Sequence, residues 1–285
     1  MIEYSKATLE EYGYKDRRFL KKVYRISTKV LVVAVIFLMY LPVLTIALQS
    51  FNSSSELSSF GSFTFKWYGQ IFRHPMIASA IQNTAIVSLT STILATVLGT
   101  FIAMGIYYLF PKAKQQILLL NNIPILNADI VTGISLMLVF SLLLPVFPYI
   151  FGLPTLILAH LFFTLPYVIL SVLPKLGEVD PNLMDAAADL GLKPIKSLVK
   201  VMVPAVKAGI FSGMLLAFTM SVDDFVVSYY TTGNGYDNLS IWIYGSIGRK
   251  SLTPSVYAFS TLLTLGTALV LLAVNLLSKR KVRNK

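Results

Sequence analysis

The chain has 285 residues, of which 55% are hydrophobic and only 13% are charged, and its mean hydropathy is +0.71. Soluble globular domains carry about 25% charged residues, so the composition indicates an integral membrane protein and excludes an ordinary soluble domain. The chain contains no Cys, which excludes disulfides, thiolate metal sites and a Cys nucleophile.

The first apolar segment, residues 30–48, follows a polar and basic N-terminal arm formed by residues 1–29. It is long enough to cross a bilayer of about 30 Å. It is too long for the apolar core of a cleavable signal and lacks a small-residue cleavage site, so we expect a retained first helix. Further apolar segments cover residues 78–108, 117–145, 153–173, 206–229 and 257–278.

These segments predict an all-α fold in which residues 30–278 form a domain of six transmembrane helices, followed by a basic tail, 279–285. Six helices place both termini on one side of the membrane. Basic residues in short loops stay cytoplasmic, and with the termini inside, all but four of the 24 Lys and Arg residues are cytoplasmic. We therefore predict a multi-pass plasma-membrane protein with both termini cytoplasmic. The net charge of +11 then reflects topology, and no nucleic-acid partner is expected.

A cytoplasmic loop of about residues 178–204 contains apolar runs that are too short to cross a bilayer. Asp180 followed by Pro181 is typical of a helix start, and Gly191 is typical of a helix end. Pro194 predicts the start of a second short helix, and Pro204 opens the fifth span. The sequence therefore predicts two short helices that meet at Gly191.

Both predicted helices of this loop are amphipathic. On the first, Asp185 and Asp189 share a polar face at a spacing of four residues. The Lys residues of the loop favour adsorption to lipid headgroups, whereas carboxylates are repelled by an anionic leaflet and could receive Arg from a protein partner, so both interpretations remain open at this point. The apolar residues expected to share a face are Leu183, Met184, Ala187 and Leu190 in the first helix and Ile195, Leu198, Val199 and Met202 in the second.

Three acidic residues, Asp129, Asp223 and Asp224, lie within the predicted spans, where no Lys or Arg is placed to neutralise them. Charged side chains in a membrane are costly and usually face a cavity or a partner. Such carboxylates suit a cationic substrate, and Phe225 and Tyr229 nearby can add cation–π contacts. These five residues form the predicted substrate pathway.

A structural alternative remains open for the same residues, in which the aspartates cap or hydrogen-bond broken helices. Pro124, Asn127 and Asp129 are typical of a kink in the third span. For His160, in the fourth span, a helix–helix hydrogen bond is favoured over a ligand role, since His74 is the one other His and two residues make no metal site.

No cofactor site is expected in this chain. Residues 247–252 superficially resemble a phosphate-binding loop, but the spacing that such a loop needs is missing. Residues 239–247 contain Trp242 and Tyr244, which suit the outer membrane interface, so we expect a short helix there.

The loop motif resembles that of a known family. The run Asp185-Ala186-Ala187, then three residues, Gly191, nine residues and a segment that ends at Pro204, is similar to the EAA loop of ABC importer permeases. In that family the loop forms a coupling helix that sits in a cleft of the ATP-hydrolysing subunit, and Asp185 stands where Glu is usual. The predicted ATPase-docking residues are Asp185, Ala186, Ala187, Asp189, Gly191 and Pro204.

Other blocks resemble the C-type permease subunit of spermidine/putrescine importers, at residues 50–54, 63–68, 128–140, 159–168, 217–233 and 253–263. The resemblance implies a type I ABC importer permease fold with a cytoplasmic coupling helix. It also implies a non-catalytic subunit that forms half of a polyamine pathway. The implied partners are a B-type permease in the membrane, two ATP-binding subunits that use ATP and Mg inside, and a polyamine-binding protein outside.

Two alternatives remain. The EAA-like loop is shared across many substrate classes, so an ABC importer permease for another cationic or neutral solute is one alternative. The other is an ATP-independent secondary transporter, which would typically show inverted repeats, and no repeat is visible in the sequence.

Overall fold

The computed structural model describes residues 17–54, 59–71, 75–233, 235–247 and 254–283. These residues are mainly helical, and the predicted all-α class is confirmed. The helices are α1 (Arg17–Gln49), α2 (Lys66–Ile71), α3 (Pro75–Tyr107), α4 (Pro111–Leu126), α5 (Asp129–Leu143), α6 (Leu153–Gly177), α7 (Leu183–Asp189), α8 (Pro194–Ala205), α9 (Lys207–Asp223), α10 (Val226–Thr231), α11 (Leu239–Ile247) and α12 (Pro254–Arg283).

The helices divide into two compact units. The first unit contains α1, α2 and α12, with α12 packed against the other two. Its helix α1 begins at Arg17, so residues 17–29 of the predicted basic arm are helical, while residues 1–16 lie outside the described residues. The apolar stretch of α1 is exposed along its length, as expected of a helix surrounded by lipid.

The second unit is built on α3, α6 and α9, which pack closely against one another. Small residues permit this approach. A Cβ atom on Gly99 of α3 would lie 2.8 Å from Val168 Cγ1 of α6, and one on Gly209 of α9 would lie 2.8 Å from the Ser171 carbonyl oxygen. The three helices therefore form a bundle whose backbones approach too closely for a side chain at these two glycines.

The main core of this unit joins the bundle to the cytoplasmic loop. Met202 and Val206, at the end of α8 and just after it, are buried against residues of α3 and α6, and Met184 and Leu198 pack on the same cluster. The buried members from the three bundle helices are Ala95, Ala103, Met104, Ile106, Val168, Ile169, Val172, Leu176 and Ala217.

The predicted spans are confirmed in part. In the described residues, three helices are long and apolar enough to cross a membrane: Val23–Gln49, Pro75–Tyr107 and Leu153–Gly177. Two bent pairs raise the number to five if each pair is one span. The predicted sixth span lies in α12, whose final turns have no described side chains, so the count of six stays a prediction.

The third predicted span is not a single straight helix. Its halves α4 and α5 meet at an angle of 103°, and the kink expected near Pro124 and Asn127 is confirmed. A Pro inside a helix removes one backbone hydrogen bond and crowds the preceding turn, which accounts for the break. The fifth predicted span, 206–229, is interrupted where α9 ends at Asp223 and α10 begins at Val226, and α8 meets α9 at 77° at its start.

Candidate functional site

The junction of the two loop helices is built by backbone geometry at Gly191. This residue has φ +78°, in the left-handed region that favours glycine. The Gly191 N–H donates to the Ala188 carbonyl at 2.8 Å, and the Leu192 N–H donates to the Ala187 carbonyl at 3.1 Å. This bond pair is a Schellman motif, and it confirms the predicted end of the first helix at Gly191.

The predicted start of that helix is wrong by a few residues. Helix α7 begins at Leu183, and the Asp180 carboxylate accepts the N–H of Asn182 at 2.9 Å. The Asp180 side chain therefore closes a turn two residues ahead, a common alternative to helix capping for Asp.

The second loop helix starts at Pro194, as predicted, but its apolar face is divided. Met202 is buried and Leu198 packs on the core, whereas Ile195 is 76% exposed and Val199 is 46% exposed. The prediction that all four share one face is therefore wrong. A π-helical turn at Leu198–Met202 accounts for the change, because its wider turn rotates the residues on either side relative to a regular α-helix.

The loop exposes a surface of mixed chemistry, which we call the loop surface: Asp185, Asp189, Leu190 and Ile195. All four side chains are exposed, and Leu190 is 83% exposed. Among the predicted docking residues, Ala186, Gly191 and Pro204 are exposed as well, and Ala187 is buried at 4% exposure. Ala187 is thus covered by the protein, while the loop surface is free to meet a partner.

At the other break, after α9, three rings form the aromatic cluster: Phe225, Tyr229 and Tyr244. The Phe225 ring centroid lies 5.6 Å from that of Tyr229 and 4.6 Å from that of Tyr244. Tyr229 and Tyr244 are each about half exposed. Helix α11, predicted at residues 239–247, is confirmed and supplies Tyr244, which the sequence analysis did not place in the pathway.

The three predicted pathway carboxylates differ in exposure. Asp129 and Asp223 are exposed, and Asp129 lies within electrostatic range of Asp224. The Asp224 side chain is only 9% exposed. Its carboxylate accepts the Val227 N–H at 3.2 Å and both the N–H and the hydroxyl of Ser228 at 2.7 Å. Asp224 therefore caps α10, as the structural alternative expected.

His160 forms the predicted helix–helix hydrogen bonds. It is 1% exposed, and its Nδ1 lies 2.6 Å from Ser221 Oγ of α9, while its Nε2 lies 2.9 Å from Ser228 Oγ of α10. Asn238 donates to the same Ser228 oxygen at 2.8 Å. We call this set, together with Asp224, the His160 network. His160 lies 61 and 68 positions from its two serine partners, so the sequence predicted a helix–helix hydrogen bond for it but not these partners.

Among the residues that the structure describes, no group of three or more His, Cys, Asp and Glu side chains could hold a metal ion. The chemistry available at the two breaks is therefore that of carboxylates, rings, hydroxyls and apolar contacts.

A bundle of apolar helices with a two-helix module packed on its core is the architecture of an ABC importer permease. The chain belongs to the family of binding-protein-dependent transport system inner membrane components, whose model matches residues 117–283. The predicted resemblance is thereby confirmed, and the protein is a multi-pass membrane component of an ABC transport system.

Curated relatives extend the similarity over most of the chain. The spermidine/putrescine transport system permease protein PotC of Escherichia coli (strain K12) is 29% identical over 245 residues, which cover 86% of this chain and 91% of that protein. The PotC protein of Haemophilus influenzae is 31% identical over 236 residues, or 82% of this chain and 90% of that protein. The putrescine transport system permease protein PotI of E. coli (strain K12) is 30% identical and covers 79% and 81%.

Two solved structures share the fold. A chain of a bacterial ABC transporter involved in the import of the acidic polysaccharide alginate superposes with a TM-score of 0.68 at 15% identity, covering 92% of this chain and 98% of that one. A chain of the bacterial alginate ABC transporter in complex with an alginate pentasaccharide-bound periplasmic protein gives a TM-score of 0.62, also at 15% identity, covering 91% and 94%. At this identity the likeness shows the fold alone.

Proposed function

We propose that this chain is a transmembrane permease subunit of an ATP-driven importer of polyamines and forms half of its translocation pathway. The relatives named as spermidine/putrescine and putrescine permeases support this substrate class. The observation that carries it is the aromatic cluster, whose Phe225 lies two residues after Asp223 and which presents two half-exposed tyrosine rings.

Polyamines are flexible chains that carry several ammonium groups. An ammonium within about 6 Å of a ring centroid gains about 0.5 to 2 kcal/mol from the ring quadrupole, depending on its hydration. Tyr229 and Phe225 offer such faces, and the exposed carboxylates of Asp129 and Asp223 offer direct ion pairs. Asp224 contributes its charge from below the surface and holds the start of α10.

The loop surface docks an ATPase subunit in this proposal. Leu190 and Ile195 are apolar anchors for a cleft, and Asp185 and Asp189 receive basic side chains from its rim. Because Met184 and Met202 pack into the bundle core, a displacement of the loop moves α3, α6 and α9 with it. ATP and Mg are bound and used in two such partner subunits, and this chain catalyses no reaction.

The remaining assembly follows from the family and the charge distribution. A B-type permease completes the pathway in the membrane, and a polyamine-binding protein delivers substrate from outside. Both termini are cytoplasmic in the plasma membrane, on the side where most Lys and Arg residues lie. The periplasmic protein bound in the alginate transporter structure supports the binding-protein partner.

The decisive experiment is reconstitution of the chain in lipid vesicles with candidate permease, ATPase and binding-protein partners. We expect spermidine or putrescine to stimulate ATP hydrolysis and to accumulate inside. If neither polyamine stimulates ATP hydrolysis or is taken up, but another solute stimulates hydrolysis and is taken up, the result would favour a permease of the same fold with a different substrate. Uptake by this chain without any ATPase would refute the ATP-driven class.

The docking role is tested by Asp185→Lys, which reverses a charge on the loop surface. We expect the subunit to insert normally while ATP hydrolysis is uncoupled from uptake. Glu178→Lys is the control, because it makes the same charge change at an exposed position outside the loop surface, and the exposed ion pair with Lys175 that it removes contributes only about 0 to 1 kcal/mol. Equal coupled uptake in the two variants would contradict docking through Asp185.

A further inference from the structure

The strongest unassigned feature of the molecule is the buried His160 network, which links α6 to the break between α9 and α10. His160 has no exposed edge that could touch a substrate, since its exposed fraction is 1%. Both ring nitrogens nevertheless have partners, and each partner lies on a different helix. A network of this kind can fix the relative position of three helices.

The hydrogen bonds of Ser228 define which ring nitrogen of His160 carries the proton. The single hydroxyl proton of Ser228 is donated to Asp224 Oδ2 at 2.7 Å, and the oxygen accepts Asn238 Nδ2–H at 2.8 Å. A hydroxyl has one donor and two acceptor sites, so the contact with His160 requires Nε2–H as the donor. The single hydroxyl proton of Ser221 has two possible acceptors, His160 Nδ1 at 2.6 Å and Ser91 Oγ at 3.1 Å. We assign the proton to the shorter contact, so Nδ1 is the acceptor.

The direction of these bonds leads from His160 to Asp224. His160 orients Ser228, and the Ser228 hydroxyl holds the carboxylate whose nearest oxygen lies 3.7 Å from Nε2. The same carboxylate accepts the Val227 and Ser228 N–H groups and so sets where α10 begins. Helix α10 carries Tyr229 of the aromatic cluster.

We propose that His160, as the neutral Nε2–H tautomer, is a positioning residue that holds Asp224 and α10 in place through Ser228 and thereby sets the aromatic cluster for its cation. This inference rests on the proposed polyamine function for its transport consequence. The tautomer and the position of α10 are independent of that function.

The tautomer can be measured directly. The chain has two His residues, so His74→Gln leaves His160 as the single imidazole. With ¹⁵N-labelled His in this subunit alone, assembled with unlabelled partners, solid-state NMR is expected to show a protonated Nε2 and an unprotonated Nδ1. A protonated Nδ1 would reverse the direction of the hydrogen bonds and overturn the proposal.

The position of α10 can be measured by thiol labelling, because the chain contains no native Cys. Tyr229→Cys places a reporter on α10, and Tyr149→Cys, at a 94% exposed position, serves as the control site. We expect His160→Leu to change the maleimide labelling rate at position 229 at least threefold and to leave position 149 unchanged. Unchanged labelling at position 229 would overturn the proposal.

Rescue separates positioning from simple packing. His160→Gln keeps an N–H donor near the place of Nε2, so its labelling rate at position 229 should match that of the protein with native His160. Ser228→Thr keeps the hydroxyl and should give the same rate. Ser228→Ala should reproduce the His160→Leu result with a smaller loss of volume. Thr164→Val is the matched control, since Thr164 is buried one turn away on α6 and its described hydrogen bond goes to the backbone carbonyl of His160 and not to the imidazole. Equal defects in His160→Gln and His160→Leu would indicate packing alone.

Transport supplies the last readout, measured with the native Tyr229 in place. We expect His160→Leu to raise the KM for spermidine uptake about tenfold, with the maximal rate changed less than about twofold, because a binding surface is displaced and the loop surface is not. A fall in the maximal rate alone would contradict the positioning role. If the unmodified transporter takes up no polyamine, the proposed function fails, while the NMR and labelling results still decide the role of His160.

Discussion

Two of the helix breaks in the second unit, the loop junction at Gly191 and the break at Asp224, are made by different means. At Gly191 the backbone alone ends the helix, through a positive φ and two hydrogen bonds to carbonyl groups. At Asp224 side chains make the break, through a buried carboxylate, Ser228 and His160. The first arrangement leaves its acidic and apolar side chains free for a partner protein. The second uses one carboxylate for structure and leaves Asp223 and the aromatic cluster exposed.

The largest effect is expected from Gly191→Pro, which changes the backbone geometry that ends α7. Proline fixes φ near −65° and has no N–H, so it fits neither the φ of +78° nor the bond to Ala188, at a cost of about 3 kcal/mol or more. Coupled uptake should be lost while the subunit still inserts in the membrane. Uptake and co-purification of the ATPase subunit measure this.

Gly191→Asn is the control for that change, because Asn tolerates the left-handed region and retains its N–H. Its uptake should stay within about twofold of the unmodified transporter, as expected for a substitution compatible with the helix end. Normal coupling in Gly191→Pro would show that the loop junction does not need this backbone geometry.

Asp224→Asn tests the break that side chains make, because it replaces the charged hydrogen-bond acceptor with a neutral amide. Hydrogen bonds to a charged group are worth about 1.5 to 3 kcal/mol, so the start of α10 should loosen and uptake at low polyamine concentration should fall about tenfold. Asp223→Asn is the comparison, since Asp223 is exposed and caps no helix in the described contacts. Unchanged uptake across the saturation curve of Asp224→Asn would remove Asp224 from the pathway.

Gly99→Ala tests the close packing of α3 against α6 in the bundle. The new Cβ would lie 2.8 Å from Val168 Cγ1, and Val168 is a stiff, fully buried residue, so overpacking should destabilise the subunit by about 1 to 3 kcal/mol. Gly105→Ala on the same helix meets no atom within 4 Å and is the matched control. Thermal unfolding in detergent should show a lower midpoint for Gly99→Ala alone, and equal midpoints would contradict the tight packing of α3 against α6.

The sequence predicted the backbone break better than the side-chain break, for a physical reason. Gly191 and Pro194 act on their own φ angles and N–H groups, so their effect is local and visible in one short motif. The His160 network joins residues that are 61 and 68 positions apart, and its existence depends on how α6, α9 and α10 pack. The contact of Tyr244 with Phe225 likewise depends on how the helices pack, so the sequence did not predict it.

Some local signals were also insufficient. Helical spacing placed Ile195 and Val199 with Met202, but one π-helical turn separated them, and α-helical periodicity carries no sign of such a turn. Pro124 indicated a kink in the third span, although a proline specifies a broken hydrogen bond and not an angle of 103°. The predicted loop and pathway residues themselves stay predictions until the variants are measured.

The smallest effect is expected on the loop surface, from Leu190→Ala and Ile195→Ala. These side chains are 83% and 76% exposed, so truncating them should leave the folding stability of the subunit unchanged. If they are anchors for an ATPase cleft, each truncation should weaken ATPase binding about five- to tenfold, as for a moderate interface hot spot.

Leu265→Ala, at a 56% exposed position of α12, is the control for nonspecific loss of apolar surface. Affinity measured in nanodiscs against the isolated ATPase subunit should fall for Leu190→Ala and Ile195→Ala and not for Leu265→Ala. Unchanged affinity in both loop variants, with loss in Asp185→Lys, would mean that charge alone docks the partner. The exposed apolar residues at the backbone break would then have no more of a docking role than those of the lipid-facing helices.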